Sequence, residues 1–292
     1  MNSIPKPEYK VSTVFEECRL IRKNKDLKDR LKAIKPMIDL AESEYEIFAK
    51  SGSLFKVQSS IGVGTTISTS EMESLYTEVF ARKNSPVRTK YYDELILAPD
   101  HGTCPLCAHR DESTLDHYLP KGKNPSLAVT PINLIAACQE CNKIKHEHHP
   151  VLSNEQLIHP YFDKLPDEIW LIASIETTSP PAVVFTVDSS NIMDKDLAAR
   201  LHSQFKKLEL ASLYTSNAGK TLSGISEKLV SAWTRGGSNE VEFLLNEDSR
   251  SWGKHAINSW QASMYRALAK SDWFCSEGYA YAGVKRFKKE NL

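Results

Sequence analysis

Residues 104–145 read CPLCAHRDESTLDHYLPKGKNPSLAVTPINLIAACQECNKIK, and no other stretch of the 292-residue chain says as much about its structure. The stretch contains two Cys-x-x-Cys pairs, and each pair can present two thiolates to one zinc ion. The four ligands would be Cys104, Cys107, Cys138 and Cys141. Because thiolates would then fill all four tetrahedral positions, we predict a structural zinc ion that takes no part in chemistry.

The segment between the two cysteine pairs is unusually long. Thirty residues, 108–137, separate the pairs, whereas common zinc modules place about 15 to 20 residues there. A strand, a loop and a second strand would fit into this length. The segment contains the neighbours Asp116 and His117, and Asn142 directly follows the last cysteine. A zinc module that only binds a partner needs none of these three residues, so we expect the zinc to hold a hydrolytic site in shape.

The three polar residues suit the hydrolysis of a phosphodiester bond. That reaction needs an activated water, neutralised charge on the phosphate and a stabilised leaving oxygen. The Asp116 carboxylate and the Asn142 carbonyl can bind a catalytic Mg2+ or Mn2+ ion, since such ions prefer oxygen ligands. His117 can take a proton from water, because the ordinary pKa of histidine is about 6.5. Lys143 and Lys145, on the helix expected after Cys141, could contact the phosphate backbone.

These residues resemble the signature of the HNH endonuclease family. They are similar in particular to its four-cysteine branch with Asn at the third signature position, as in phage Holliday-junction resolvases of the endonuclease VII type. The matching segments are 104–107, 115–121, 133–134 and 138–145. The resemblance implies a ββα-metal fold with His117 as general base on the first strand and with Asp116 and Asn142 as ligands of the catalytic ion. It also implies that Asn133 steadies the loop between the strands and orients His117.

Alternatives remain open at this site. Many family members have His where this chain has Asn142, and His146, one helical turn further on, could be the ligand instead. Asn142 would also suit a helix N-cap. Asp116 and His117 would also suit a buried salt-bridged pair. The alternative function is therefore a non-catalytic zinc module that binds nucleic acid or a protein.

The segments that flank the motif, 88–95 and 159–163, resemble HNH proteins of bacterial anti-phage systems, Septu-type systems among them. Such proteins stand beside an ATPase partner, so the resemblance implies an effector nuclease that acts with an ATPase. Site chemistry does not separate DNA from RNA; we favour DNA as the nucleic-acid substrate, with RNA as the alternative.

Composition and charge are those of an ordinary globular protein. Lys and Arg number 37, as do Asp and Glu, so the net charge gives no sign of nucleic-acid binding. Local positive clusters occur at 19–35 and 82–90. We expect no membrane segment, because no apolar run reaches the roughly 18 to 20 residues that span a bilayer. The amino terminus resembles no signal peptide, so we expect a cytoplasmic protein, in which cysteines favour metal over disulfides. Cys18 and Cys275 are then expected to be buried thiols.

The remaining pattern predicts an α+β protein that is mainly helical. We expect an N-terminal helical region at 1–90, the nuclease module at 91–160, and a C-terminal region at 161–292. The C-terminal region should begin with a β-hairpin formed by 170–175 and 182–187. Helices should follow from 194 to the end, with breaks at Gly236–Gly237 and near Gly253. Pro36 is expected to break or kink the first helical stretch.

Overall fold

The structure, a computed structural model, describes residues 1–283 and confirms the predicted class. It is mostly helical, with two separate antiparallel strand pairs and a cluster of four cysteines. The chain forms two compact units, one of residues 1–165 and 199–208, the other of residues 166–198 and 209 onward. Residues 284–292, where a helix was expected to continue, lie outside the described part. None of the helices among residues 1–283 has the length and apolar composition that a membrane crossing requires.

The first unit contains five whole α-helices, part of a further one and one strand pair. In chain order the whole elements are α1 (Val11–Ile21), α2 (Lys25–Lys50), α3 (Thr69–Leu75), α4 (Asp93–Ile96), β1 (Thr114–His117), β2 (Leu134–Ala137) and α5 (Gln139–Lys145). A π-helical turn, Tyr76–Phe80, follows α3, and a second one, Arg88–Tyr92, precedes α4. Such turns are rare and occur often at functional sites.

Helix α2 begins at the N-cap Asn24, whose side chain accepts a hydrogen bond from the Leu27 N–H. It continues through Pro36 to Lys50, so Pro36 does not break the helix, and a kink there stays a prediction. A proline inside a helix costs about 3 kcal/mol. Here apolar side chains on both sides of Pro36, such as Leu31 and Ile38, are fully buried, and their packing outweighs the lost hydrogen bond.

The expected order of strand, loop, strand and helix is present around the cysteines. Strands β1 and β2 are antiparallel, with Thr114 opposite Ala137 and His117 opposite Leu134. Residues 118–133 form the loop between them, and α5 follows β2 directly. The N-cap of α5 is Cys138, whose Sγ accepts from the Cys141 N–H at 3.3 Å. The N-cap alternative for Asn142 is therefore excluded.

The two faces of the β1–β2 pair meet different surroundings, because side chains alternate along a strand. Leu115, Leu134 and Ala136 join a large apolar cluster with α1, α2 and α3. Ile135 points the other way, into a smaller cluster that contains Tyr45 of α2. Neighbours in sequence on β1 therefore face opposite sides of the strand pair.

The second unit contains the hairpin of β3 (Leu171–Glu176) and β4 (Ala182–Val187), which confirms the predicted strands to within one residue. Helix α6 (Lys195–Lys207) begins in this unit, and its residues from Ala199 onward belong to the first. Helices α7 (Leu210–His255), α8 (Trp260–Ala269) and α9 (Asp272–Ser276) follow. The predicted break at Gly236–Gly237 is confirmed by non-helical backbone angles there, and the break predicted near Gly253 is confirmed by the end of α7 at His255. The Lys228–Asp248 ion pair, at 2.9 Å, joins the two arms of α7.

Candidate functional site

The four cysteines of the two pairs form one buried cluster. Their sulfur atoms all lie within 4.8 Å of one another. Zinc–sulfur bonds of about 2.3 Å place the sulfurs of a tetrahedral site about 3.8 Å apart. The cluster therefore fits zinc, with Cys104, Cys107, Cys138 and Cys141 as the ligands. Cys18 and Cys275 are buried thiols elsewhere, as expected.

The pKa values of the four thiols in this cluster shift in different directions. The hydrogen bond with the Cys104 thiol is the main cause that lowers the pKa of Cys107 and that of Cys138. The same network raises the pKa of Cys104 and Cys141. A zinc ion would displace the protons that remain on the cluster, because cysteine binds zinc as the thiolate.

Asp116 lies in the middle of the candidate site, on the face of β1 that meets α5. It is only 5% exposed. The Lys145 ammonium, itself 4% exposed, lies 3.2 Å from Oδ1 and 3.1 Å from Oδ2 of this carboxylate. Only the contact with Oδ1 has hydrogen-bond geometry, so among the described residues the buried Oδ2 has no donor. Burial raises the pKa of Asp116, and the charge of Lys145 opposes that shift.

His117 ends β1 and is almost completely buried. Its Nε2 lies 2.8 Å from the main-chain oxygen of Ala128. Because a carbonyl can only accept, Nε2 carries the hydrogen and Nδ1 keeps its lone pair. Burial, aided by the positive charge of Lys121, lowers the pKa of His117 to about 3. The imidazole is therefore neutral near pH 7, with Nδ1 as its basic atom.

Two residues outside the predicted set surround the imidazole. Tyr76, in the π-helical turn after α3, packs edge-on against the His117 ring at 4.4 Å between centroids. The Lys121 ammonium lies 5.7 Å from the centre of the Tyr76 ring. Lys121 makes no ion pair with any residue among 1–283. Its positive charge therefore acts on His117 without a neutralising acidic partner among these residues.

Asn142 and His146 differ in position on α5, which bears on the choice between them as ligands. Asn142 lies on the face toward β1, where its Nδ2 donates to Thr114 Oγ1 at 3.4 Å. Thr114 and Asp116 are on the same side of β1. His146 is exposed and caps the end of α5 with a positive φ of 46°. The geometry favours Asn142 as the partner of Asp116.

Asn133 is fully buried and fastens the loop between the strands. Its Oδ1 accepts from the Leu119 N–H at 2.8 Å, and its Nδ2 donates to the oxygens of Leu119 and Leu127 at 3.0 and 3.3 Å. Its own carbonyl accepts from the Tyr118 N–H. Asn133 thereby fixes the chain immediately after His117 and the segment that carries Ala128.

The two lysines assigned to phosphate lie in different surroundings. Lys143 is exposed on α5, as a phosphate contact requires. Lys145 is buried against Asp116 and also donates to the His117 carbonyl at 2.7 Å. Lys145 follows Asn142 by three residues, and this helical spacing predicts that both side chains lie on the same face of α5. No local signal in the sequence pointed to Tyr76, and Lys121 was part of the motif without a role.

The basic cluster at 19–35 is neutralised in part. Arg19, Arg22 and Arg30 pair with Glu16, Glu78 and Glu71, respectively. In the second cluster Lys90 pairs with Glu17, whereas Arg82 and Lys83 are exposed. The three arginines of the first cluster are therefore engaged in salt bridges.

Two proteins are similar in sequence to this chain. Protein ea31 of Escherichia phage lambda is 29% identical over 296 residues, which cover 94% of this chain and 99% of ea31. The Septu protein PtuB of Bacillus thuringiensis is 32% identical over 97 residues, or 31% of this chain and 37% of PtuB. No protein-family model matches the chain, and no solved structure matches it. Partial similarity to a Septu protein is thus established, and membership of the HNH family remains a proposal.

Proposed function

We propose that the chain is a metal-dependent endonuclease of the HNH type, which hydrolyses phosphodiester bonds in nucleic acid. One observation carries the proposal: His117 is held neutral, with Nδ1 as its free basic atom, next in sequence to the buried Asp116. Both residues lie in a strand–loop–strand–helix module closed by four cysteines that fit zinc. The order of elements and the residues agree with the ββα-metal resemblance seen in the sequence.

His117 acts as the general base in this proposal. Nδ1 takes a proton from water, the water oxygen forms a bond to phosphorus, and the bond to the leaving oxygen breaks. With a pKa of about 3 the free imidazole is a weak base. A bound phosphate would neutralise Lys121 and add negative charge nearby, and both effects raise the pKa of His117 toward the working pH.

Asp116 and Asn142 are the proposed ligands of a catalytic Mg2+ or Mn2+ ion. The buried Asp116 Oδ2 has no hydrogen-bond donor among the described residues, and Asn142 lies on the same side of the module. When bound, the ion would supply positive charge to the phosphate and the leaving oxygen. Asp116 and His117 face opposite sides of β1, so a phosphate reaching both must lie at the end of that strand.

The proposal also names a substrate contact and a compartment. Lys143, exposed on α5, is the proposed contact to the phosphate backbone, and such contacts carry little sequence information. We favour DNA over RNA as the substrate. The proposed compartment is the cytoplasm, where thiols stay reduced and can bind zinc.

A cleavage assay tests the proposal. Wild type and His117→Ala are incubated with Mg2+ or Mn2+ and with plasmid, single-stranded DNA or total RNA, and the zinc in each protein is quantified. We expect cleavage by wild type and at least a hundredfold loss in His117→Ala at equal zinc content. Equal cleavage by both proteins would contradict the role of His117.

The pairing of Asp116 with Lys145 favours a second candidate, a zinc module that binds nucleic acid or protein without cutting. In that case the carboxylate already has its cation and needs no metal ion. This candidate expects binding of nucleic acid without cleavage under any divalent ion. The same assay, run with a gel-shift measurement, separates the two functions.

We further propose a role in anti-phage defence, with an ATPase as partner protein. The similarity to the Septu protein PtuB over about a third of the chain supports this role. The relative that spans nearly the whole chain is itself a phage protein, so the test should include several different phages. Phages should form fewer plaques on cells that express the chain together with an ATPase from a neighbouring gene. His117→Ala should remove that protection.

A further inference from the structure

Lys145 makes three contacts inside the module, and all three are with oxygen atoms that compensate its positive charge. Its Nζ lies 3.2 and 3.1 Å from the two oxygens of Asp116 and 2.7 Å from the carbonyl oxygen of His117. The side chain comes from the last residue of α5 and is only 4% exposed. A buried lysine needs such partners, because an unpaired ammonium in the interior is strongly unfavourable.

We infer that Lys145 is a built-in competitor of the divalent ion for Asp116. The inference rests on the proposed function in one respect, namely that Asp116 is a metal ligand. In the absence of a divalent ion, the ammonium balances the buried carboxylate and keeps the site closed. When a divalent ion binds, the ammonium gives up the Asp116 oxygens.

The competition follows from charge and space. A metal ion bound to either Asp116 oxygen would lie within a few ångströms of the ammonium, and two positive charges at that distance repel each other strongly where water is excluded. The carboxylate also has little room for both cations, since Nζ is nearly equidistant from the two oxygens. Removing the charge of Lys145 should therefore increase metal affinity.

The His117 carbonyl explains how the ammonium can move without leaving the interior. Its oxygen is the nearest contact of Nζ and belongs to the residue after Asp116. A small rotation of the lysine side chain keeps this hydrogen bond while it releases the carboxylate. Lys145 thus sets the metal concentration at which the site becomes competent, and Asp116 is protected from ions at lower concentration.

The experiment measures Mn2+ binding to zinc-loaded full-length protein by the electron paramagnetic resonance signal of free Mn2+. The test variant is Lys145→Met, which has a similar length and no charge. Lys123→Met, at an exposed lysine in the loop of the same module, is the matched control. Asp116→Asn, alone and combined with Lys145→Met, identifies binding at Asp116. Zinc content and circular dichroism establish that each variant is folded.

We expect Lys145→Met to bind Mn2+ at least tenfold more tightly than wild type and Lys123→Met to stay within twofold. The double variant should lose the gain. Equal or weaker binding by folded Lys145→Met overturns the inference, and so does Mn2+ binding that Asp116→Asn leaves unchanged.

Lys145→Arg provides a second test should the methionine variant fail to fold. It keeps the positive charge, so its Mn2+ affinity should equal that of wild type or be lower, and a tighter affinity overturns the inference. Cleavage is scored separately. Absence of cleavage in wild type contradicts the proposed endonuclease, while the Mn2+ affinities still decide the role of Lys145.

Discussion

At the scale of single residues, burial and one backbone hydrogen bond fix the state of His117. In the unfolded chain its pKa is about 6.5, and in the folded protein burial lowers it to about 3. Between these values the unfolded chain binds a proton that the folded protein does not bind. Stability from this residue is therefore complete above pH 6.5 and is lost as the pH falls toward 3.

We predict that the free energy of unfolding depends less on pH in His117→Gln than in wild type. Between pH 7.5 and 5.5, wild type should lose about 1.4 kcal/mol more unfolding free energy than the variant, which corresponds to one proton taken up by unfolded His117. Zinc release in urea measures unfolding of the first unit. All five tryptophans lie at position 170 or beyond, so their fluorescence follows the second unit. His255→Gln, at an exposed histidine, should behave as wild type, and an identical pH loss in His117→Gln would contradict the assignment.

Asn133 is the second residue with a measurable individual role. Asn133→Ala leaves the buried N–H and C=O of Leu119 without their partner, and each such group costs about 1–3 kcal/mol. We expect a loss of about 2–4 kcal/mol in the stability of the first unit, together with lower cleavage because the loop carrying Ala128 loosens. Urea-induced zinc release checks the stability. Asn154→Ala, at an exposed asparagine, should change it by less than about 0.5 kcal/mol.

At the scale of elements, the cysteine cluster joins the chain before β1 to the start of α5. Cys141→Ser removes a ligand from α5, so zinc affinity should fall at least about tenfold and the module should lose its helix–strand contact. Zinc retained against a chelator measures this. Cys18→Ser is the matched control, because Cys18 is equally buried but lies outside the cluster, and burial raises the pKa of its thiol to about 12. Equal zinc retention by both variants would show that the cluster is not the zinc site.

The break in α7 predicts that two glycine-to-alanine substitutions in this helix change the stability of the second unit in opposite directions. Gly237 has φ of 64°, so Gly237→Ala should destabilise the second unit by about 1–2 kcal/mol, although an added Cβ meets no atom there within 4 Å. Gly219 lies within the helical part of α7 with equally open space, and Gly219→Ala should stabilise it by about 0.5–1 kcal/mol. Tryptophan fluorescence in urea measures both. Two shifts of the same sign would be inconsistent with a helix broken at Gly237.

Elements that depend on a local sequence pattern could be predicted from the sequence. Features that depend on contacts between residues distant in sequence could not. Cysteine spacing located the β1–β2–α5 module, and apolar alternation located β3 and β4. The continuity of α2 through Pro36 could not be read locally, because the packing that compensates for the proline is distant in sequence. The burial of Lys145 depends likewise on its approach to Asp116, since a lysine near a helix end ordinarily indicates an exposed position.

At the scale of the whole molecule, the chain leaves the first unit after Leu165 and returns to it with residues 199–208, which include most of α6. The returning segment brings two side chains that bind buried backbone. Gln204 accepts from the Ile158 N–H at 2.7 Å and donates to the Leu106 carbonyl at 3.0 Å, within the first cysteine pair. Arg200 donates to Asp163 at 2.9 Å and to the Leu157 carbonyl at 2.8 Å. A segment remote in sequence thus completes the surroundings of the zinc module.

Arg200 should therefore be essential to the first unit even though it lies outside the predicted nuclease module. Arg200 is 3% exposed, so Arg200→Met leaves the Asp163 carboxylate without its cation, at a cost of about 3–5 kcal/mol. Adding Asp163→Asn removes the unpaired charge and should restore part of that loss. Urea-induced zinc release measures each variant, with Arg82→Met, at an exposed arginine, as the control that should shift by less than about 0.5 kcal/mol. An Arg200→Met variant as stable as the control would contradict this prediction, because the Arg200–Asp163 ion pair would then contribute nothing to the folding of the first unit.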